Sequence, residues 1–308
     1  MDKAIKWPVK TREMHNHTMD STIWNDFKFR DDDIVIVTYG KTGTTWMQQI
    51  ISQMLFNGQE DMPVADMSPW LDFRLPNKEI KLPMVEAQEH RRFVKTHLPI
   101  DALVYSPKAK YIYIGRDVRD IAWSMFNFHY YSKDMMYDAI NNEPGRQGPP
   151  LPKPIDDVVK YYQEMVWWNG YPWWEMWGSI KGWWDIRDLP NLMFVHFQNL
   201  KDDMEGNMRK IGKFLEIDYD EAKWPEIVEH CTFDYMKAHA TPSVPMGGIF
   251  WEGGAETFIH KGTNGRWKDL LSQQDIDHYE KTIVEKLGED CAHWIMTGDF
   301  KPGDPGIK

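Results

Sequence analysis

The chain has 308 residues and a formal net charge of −11, from 36 lysines and arginines against 47 aspartates and glutamates. This length suffices for one large α/β domain, and the acidic balance argues against broad binding to nucleic acid, whose phosphates require a basic face. Two cysteines make neither a disulfide framework nor a metal-ligand set, and no apolar run marks a signal peptide or a membrane span. We therefore expect a cytoplasmic protein without a nucleic-acid or membrane partner.

Aromatic residues are unusually frequent, with 16 Trp, 13 Tyr and 14 Phe. These numbers exceed what the core of such a chain needs, so we expect some of the rings to line a pocket for a flat or apolar ligand. For any single tryptophan, a place in the core is an equally good interpretation.

The first third of the chain contains a strand, a loop and a helix in succession. Residues 1–30 are interpreted as an N-terminal arm, the apolar run Ile34-Val-Ile-Val37 predicts a buried strand, and the apolar spacing of 46–56 predicts a helix. The loop Lys41-Thr-Gly-Thr-Thr-Trp46 brings backbone N–H groups, hydroxyls and one ammonium to the helix N-terminus. Because unpaired N–H groups and the helix dipole favour an anion there, the loop predicts a phosphate site.

This loop is not a Walker A motif, because the position that would carry the first glycine of that motif is Val35, inside the strand. A P-loop-type kinase for a small molecule nevertheless stays open as an alternative. A nucleotide-binding module without catalysis is the second alternative.

Three stretches carry turn residues in place of a helical or strand pattern. Residues 62–81 are expected to form a flap over a site, although a surface loop with buried anchors is an equally good interpretation. Residues 141–154 are expected to form an irregular insertion, and residues 240–265 a mobile loop over the site. Aromatic residues in or beside these stretches predict a pocket for a flat, apolar molecule: Trp70, Phe73, Phe128, Phe250 and Trp251.

A second strand is predicted at 92–97, ending at His97. Ligands of parallel α/β sheets lie at the carboxyl ends of the strands, so His97 and Lys41 are expected to share one crevice. A single histidine is more often structural than catalytic, but this position and the neighbouring Lys95 favour a functional role.

The strand, turn and helix pattern recurs at 110–128. Asp117 is expected in the first turn of the helix, and Arg116 at the end of the strand, where a guanidinium can meet a phosphate. Arg119 and Asp120 are interpreted as part of a solvated helix face.

Strand and helix patterns continue to alternate in the rest of the chain. A buried strand is predicted at 191–197, and helices are predicted at 156–168, 173–187, 204–215 and 219–230. In the helix at 173–187, four apolar residues share one face and are interpreted as core: Trp173, Trp177, Ile180 and Trp184. The whole chain, 1–308, is therefore expected to form a single α/β domain with a central, mostly parallel sheet flanked by helices.

Four motifs in this order resemble those of cytosolic-type sulfotransferases that use 3'-phosphoadenosine 5'-phosphosulfate (PAPS). They are Lys41-Thr-Gly-Thr-Thr-Trp46, Lys95-Thr-His-Leu-Pro99, the segment from Arg116 to Ser124, and the Lys261-Gly262 loop. The resemblance implies a P-loop-like sulfotransferase fold and transfer of a sulfuryl group from PAPS to a hydroxyl of a small, aromatic or apolar acceptor. The product nucleotide is PAP, and no metal is expected.

The resemblance also implies roles for individual residues. His97 is the base, Lys41 stabilises the leaving oxygen, and Lys95 holds sulfuryl oxygens, which also suits these residue types. Ser124 contacts the 3'-phosphate and restrains Lys41 until the acceptor binds. The residues that bind the donor are Lys41, Thr42, Gly43, Thr44, Thr45, Trp46, Arg116, Ser124, Phe233, Lys261 and Gly262.

Two positions depart from the pattern of the family. His260 stands where the 3'-phosphate loop of the family has an arginine. The dimer motif of the family is degraded at 268–277, where Ser272-Gln273 replace a Thr-Val pair, so the oligomeric state stays open.

Overall fold

A parallel sheet of four strands forms the centre of the computed structural model, which describes residues 5–306. The strands are β1 Ile34–Thr38, β2 Phe93–Thr96, β3 Lys110–Gly115 and β4 Leu192–His196, in the order β2-β1-β3-β4. Every residue of β1, β2 and β4 is buried, as expected for strands covered by helices on both faces. The predicted α/β class is therefore confirmed.

Helices surround this sheet throughout the described part of the chain. They are α1 Ile23–Asp26, α2 Thr44–Leu55, α3 Val64–Met67, α4 Lys78–Glu86, α5 Val118–Tyr130, α6 Asp134–Asn142, α7 Val158–Trp167, α8 Trp177–Trp184, α9 Phe197–Asp202, α10 Met204–Leu215, α11 Trp224–Glu229, α12 Phe233–Ala238, α13 Ala255–Phe258, α14 Gln273–Leu287 and α15 Glu289–Thr297. Short 3-10 helices lie at Ile100–Ala102, Glu221–Lys223, Thr241–Ser243, Pro245–Gly248 and Arg266–Asp269. Among residues 5–306, no helix combines the length and the apolar character that crossing a bilayer requires.

Alternating residues of the strands build two hydrophobic layers. Ile34 and Ile36 of β1 pack in a layer with Met47 of α2, whereas Val35 and Val37 point to the other face and join a cluster rich in tryptophan. The N-terminal arm also belongs to that cluster, although residues 1–4 of the predicted arm and residues 307–308 lie outside the described part.

The register of the sheet brings the ends of three strands together. Thr38 at the end of β1 lies opposite Ile114 of β3, and Val37 lies opposite Thr96 of β2. The residues that follow these strands therefore emerge at one edge of the sheet, where ligands of such folds bind.

Two helices differ from their predictions. The helix expected at 173–187 begins only at Trp177, because the Asn169 side chain accepts the backbone N–H groups of Met176 and Trp177 and holds the preceding residues in a turn. The four residues predicted as core are all buried, but Trp173 lies outside the helix. The helix expected at 219–230 is split into a 3-10 turn and α11.

The prediction that Arg119 and Asp120 lie on a solvated helix face is wrong, since they are only 7% and 4% exposed. Arg119 donates to Asp117, with 2.6 Å between Nη2 and Oδ2, and its guanidinium lies 3.7 Å from the centre of the Trp267 ring. Asp120 accepts the N–H of Gly265 at 2.7 Å. This face of α5 therefore anchors a segment that is distant in sequence.

Gly115, the last residue of β3, allows Trp294 to pack directly on the strand. A Cβ at this position would lie 2.3 Å from two carbons of the indole. We expect Gly115→Ala to lower the free energy of unfolding by about 1–3 kcal/mol, because a strand and a buried ring must both shift. Urea unfolding measures this change.

Gly178→Ala, on the exposed side of α8, is the matched control, because its new methyl meets no atom closer than 3.6 Å. Loss of glycine from a helix should leave that variant equal or more stable by about 0.5–1 kcal/mol. Equal stabilities for the two alanine variants would contradict the packing at Gly115.

Candidate active site

A cavity of about 1420 Å³ opens at the edge of the sheet where β1, β2 and β3 end. Lys41 follows β1, Lys95 and His97 lie in and after β2, and Arg116 follows β3; all four side chains line this cavity. Of the residues predicted for the site, all line the cavity except Thr42. The crevice expected for Lys41 and His97 is thus present.

The hydroxyls of the loop between β1 and α2 support its backbone. Thr42 is buried, and its hydroxyl donates to the carbonyl of Tyr39 at 3.0 Å, so this side chain faces away from the cavity. The Thr44 hydroxyl lies 2.8 Å from that of Thr38. The Thr42 hydroxyl is therefore not available to an anion in the cavity, whereas Thr44 and Thr45 line it. The backbone N–H groups remain as donors at the helix N-terminus.

The same loop adopts left-handed backbone conformations. Lys41 has φ 65° and Gly43 has φ 114°. A Cβ at Gly43 would lie 2.8 Å from a ring carbon of Phe197, so glycine is required there for its conformation and for space. For a lysine, such a conformation costs about 1–3 kcal/mol, and it persists only where the surroundings enforce it.

The Lys41 ammonium points into an aromatic part of the cavity. Nζ lies 4.1 Å from the centre of the Phe258 ring and 5.2 Å from that of Phe128. Burial, followed by the charges of Arg116 and Lys95, lowers the pKa of Lys41 to about 7. Within residues 5–306, this ammonium has no hydrogen bond to Ser124, the residue expected to restrain it.

Lys95 and Arg116 are desolvated in the same way. Lys95 donates to Oε1 of Gln48 at 3.2 Å, and burial lowers its pKa to about 8. Burial also lowers the pKa of Arg116 to about 10. In the described part of the chain, none of Lys41, Lys95 and Arg116 forms an ion pair. Carboxylates act on two of them from further away, since Asp72 raises the pKa of Lys95 and Asp120 raises that of Arg116 against the effect of burial.

His97 is held in a defined tautomer. Its Nδ1 lies 2.8 Å from the carbonyl oxygen of Thr38 and 2.7 Å from the hydroxyl of the same residue. A carbonyl only accepts, so we assign the hydrogen to Nδ1, and the Thr38 hydroxyl can then donate to that of Thr44. Nε2 therefore has a free lone pair. Burial, together with the charges of Lys95 and Lys41, lowers the pKa of His97 to about 3, so the ring is neutral at physiological pH.

Two tryptophans and a buried carboxylate position the His97 ring. Trp70 meets it edge-on at 4.5 Å between ring centres, and Trp174 stacks on it at 5.6 Å. Asp72 accepts from Nε1 of Trp70 at 2.6 Å and from the backbone N–H of His97 at 3.3 Å. Asp72 thus connects the aromatic wall to the histidine, and burial raises the pKa of its carboxyl group.

The predicted aromatic residues form one wall beside His97. Trp70 stacks on Phe73 at 4.9 Å, and Phe128 lies 5.2 Å from Trp251. Residues that extend this apolar wall are Met125, Met136, Trp173, Trp174, Phe250 and Phe258. This part of the cavity therefore has an apolar lining.

Another part of the cavity combines aromatic rings with cations. Nε1 of Trp46 donates to the carbonyl of Cys231 at 2.8 Å, which fixes this indole beside α12. Gly262, with φ 58°, packs closely on the Phe233 ring. A Cβ at this position would lie only 2.7 Å from that ring, so no larger residue fits there without a shift. Lys261 is exposed next to it and lines the cavity.

Comparison with known proteins identifies the family of the chain. A model of the sulfotransferase domain matches residues 31–290. The chain belongs to the sulfotransferase family. The predicted family and enzyme class are therefore confirmed.

Individual sulfotransferases support this assignment over nearly the whole chain. A glycolipid sulfotransferase of Mycobacterium bovis is 28% identical over 316 residues, which cover 94% of this chain and 96% of the relative. The structure of a mouse sulfotransferase complexed with PAP superposes with a TM-score of 0.68 at 22% identity, covering 89% and 92% of the two chains. The structure of retinol dehydratase in complex with androsterone and PAP superposes with a TM-score of 0.65 at 23% identity. The superposition covers 87% of this chain and 84% of retinol dehydratase. These two structures confirm the predicted sulfotransferase fold.

Several residues of this sulfotransferase site had no motif in the sequence that would reveal them. Asp72 and Trp174 reach His97 from irregular segments, and Phe258 reaches Lys41 from a short helix within the predicted mobile loop. Arg266 lines the cavity from the turn after Gly265. The only available signal was the unusual number of aromatic residues, which indicated a pocket but not its members.

Proposed function

We propose that this sulfotransferase transfers the sulfuryl group of PAPS to a hydroxyl of a small aromatic or apolar acceptor by in-line displacement, and releases PAP. One observation carries the proposal. Three buried basic side chains, Lys41, Lys95 and Arg116, converge on the cavity that also contains the neutral His97, and in the described part of the chain none of the three forms an ion pair. Family membership supports the reaction class, and the PAP bound by the mouse relative supports the donor.

The residues of the cavity fit a nucleotide with two anionic groups. When bound, PAPS supplies the sulfuryl group and a phosphate leaving group. The backbone N–H groups of Gly43, Thr44 and Thr45, together with Lys95, would hold the phosphosulfate at the N-terminus of α2. Donor contacts proposed elsewhere in the cavity are Trp46 and Phe233 for the adenine, and Arg116, Ser124, Lys261 and Gly262 for the 3'-phosphate.

His97 is the proposed general base. Its Nε2 has the lone pair, and the hydrogen bond from Nδ1 to Thr38 keeps that tautomer. Burial is the main cause of the pKa of about 3, and the charges of Lys95 and Lys41 lower it further. An anion beside these lysines offsets their effect, and so makes His97 a stronger base when the donor is present.

Lys41 is the proposed partner of the leaving oxygen. A protonated amine placed at that oxygen stabilises the negative charge that develops there. The ammonium lies over Phe258 and Phe128, so it must turn from these rings toward the oxygen it serves. Restraint of Lys41 by Ser124 until the acceptor binds remains part of the proposal, in addition to these ring contacts.

The acceptor is proposed to be a flat, apolar alcohol or phenol. The rings of Trp70 and Phe73 lie near His97, and Trp251 lines the same cavity beside Phe128. Such surfaces suit a flat molecule with few polar groups. Androsterone, present in the retinol dehydratase structure, has this character.

The direct test is incubation with PAPS and a panel of phenols, steroids and aliphatic alcohols, with mass spectrometry of the products. We expect a sulfated product and an equal amount of PAP, with phenols or steroids preferred to aliphatic alcohols. A parallel incubation with ATP and Mg²⁺ should give no phosphorylated product. Phosphoryl transfer without sulfuryl transfer would contradict the proposal and favour a kinase.

His97→Ala should lower the rate of sulfuryl transfer by about a hundredfold or more, because the general base is lost. Its affinity for PAP should stay within about twofold of the wild-type value, since the ring is proposed to face the acceptor. Calorimetric titration measures the affinity, and His278→Ala, at an exposed position, is the control. Loss of PAP binding in His97→Ala would contradict the assigned role.

Binding of PAP at pH 8 should be accompanied by the uptake of about one proton. Lys41, whose pKa is about 7, is mostly neutral at that pH in the free protein, and a bound anion favours its charged form. Affinity for PAP should therefore fall as the pH rises from 7 to 9. Calorimetry in buffers with different ionisation enthalpies measures the proton uptake.

In Lys41→Met, most of this proton uptake should disappear, while the part due to Lys95 remains. An uptake equal to that of the wild-type protein would show that another group takes the proton. Absence of uptake in the wild-type protein would contradict the neutral state of Lys41.

A further inference from the structure

Arg266 lines the cavity but has no role in the proposed reaction so far. Its Nη1 donates to Nδ1 of His260 at 3.3 Å, and its guanidinium lies 5.7 Å from the centre of the Trp123 ring. Its Nε is buried and has no hydrogen-bond partner within residues 5–306. A guanidinium with a single neutral partner is incompletely satisfied, and such a group favours binding of an anion.

The backbone around Arg266 is firmly attached to the rest of the site. Asp120 accepts the N–H of Gly265 at 2.7 Å, and Arg116 donates through Nη2 to the carbonyl of Thr263 at 3.1 Å. On the other side, Trp267 packs on Arg119. The fold thus places the turn that carries Arg266 directly beside Arg116.

The two guanidinium groups lie close enough to influence each other. Burial is the main cause of the lowered pKa of Arg116. Asp120 raises this pKa, and the charge of Arg266 lowers it further. Two like charges beside one cavity repel each other, and the single carboxylate of Asp120, which raises the pKa of both guanidinium groups, offsets only part of this repulsion. A phosphate dianion has the charge and the number of acceptor oxygens that two guanidinium groups require.

His260, by contrast, is unsuited to replace the arginine that the family has at this position. Burial lowers the pKa of its ring, and the charges of Arg266 and Lys261 lower it further, so His260 is neutral. Its Nδ1 accepts the hydrogen bond from Arg266. This chain therefore has no guanidinium at position 260, where the family has one. Arg266, six residues later, presents a guanidinium to the same cavity.

We propose that Arg266 supplies the second guanidinium of the 3'-phosphate site, beside Arg116, and so takes over the part that the family gives to the arginine at position 260. The inference rests on the proposed donor, PAPS. Arg266 would then determine the preference for a nucleotide that has a 3'-phosphate over one that lacks it.

Calorimetric titration of PAP and of 5'-AMP against the full-length protein tests the inference without a transfer assay. Arg266→Gln should lose PAP affinity by about tenfold to a hundredfold, the usual effect of one lost hydrogen bond to a charged group. Its affinity for 5'-AMP should stay within about twofold, because that nucleotide has no 3'-phosphate. Lys268→Gln, which removes the same charge from an exposed position in the same turn, should change neither affinity.

A rescue variant sharpens the test. The double variant His260→Arg/Arg266→Gln returns a guanidinium to the position where the family has one, and should recover most of the lost PAP affinity. Unchanged PAP affinity in Arg266→Gln, or an equal loss for both nucleotides, would overturn the role of Arg266. If the wild-type protein itself did not prefer PAP to 5'-AMP, the proposed donor would be wrong instead.

Discussion

Basic side chains are concentrated among buried residues at one edge of the sheet. Lys41, Lys95 and Arg116 emerge from adjacent strands at one edge of the sheet, and the pKa of each is lowered chiefly by burial. The parallel register of the sheet brings these side chains together, because the three strands end at the same level and the residues at their carboxyl ends lie side by side. The folded protein therefore contains an electrostatic cost that a bound anion relieves, and such a ligand stabilises the fold.

The same charges connect the proposed donor site to the proposed base. Lys95 and Lys41 lower the pKa of His97, so an anion that neutralises them also makes the imidazole a better proton acceptor. Geometry supports this coupling, since Thr38 fixes the tautomer and Asp72 ties the His97 backbone to the indole of Trp70. If PAPS binds as proposed, its negative charge would both pair with the lysines and raise the pKa of His97.

Local sequence patterns predicted the parts of the site that lie at strand ends. The loop before α2, His97 and Arg116 follow apolar runs that identify buried strands, and the carboxyl ends of such strands meet at one edge. Local sequence patterns could not predict contacts between segments that lie far apart in the chain. Arg119 and Asp120 looked solvated because their partners Trp267 and Gly265 lie far along the chain.

The missed members of the site have the same explanation. Trp174 was assigned to a helix by apolar spacing alone, whereas the side chain of Asn169 delays the start of α8 and leaves this indole free to stack on His97. Spacing likewise gave no reason for the Thr42 hydroxyl to turn inward to Tyr39. These outcomes depend on side-chain hydrogen bonds, which a periodic pattern does not contain.

The most direct test of the account is the melting temperature of the protein with PAP, with 5'-AMP and with adenosine. PAP at a concentration about 100-fold above its dissociation constant should raise the melting temperature by about 5 °C. At the same concentration, 5'-AMP should give a smaller increase and adenosine almost none, because each lacks charge that the buried cations require. Equal increases for PAP and adenosine would contradict the central role of these cations.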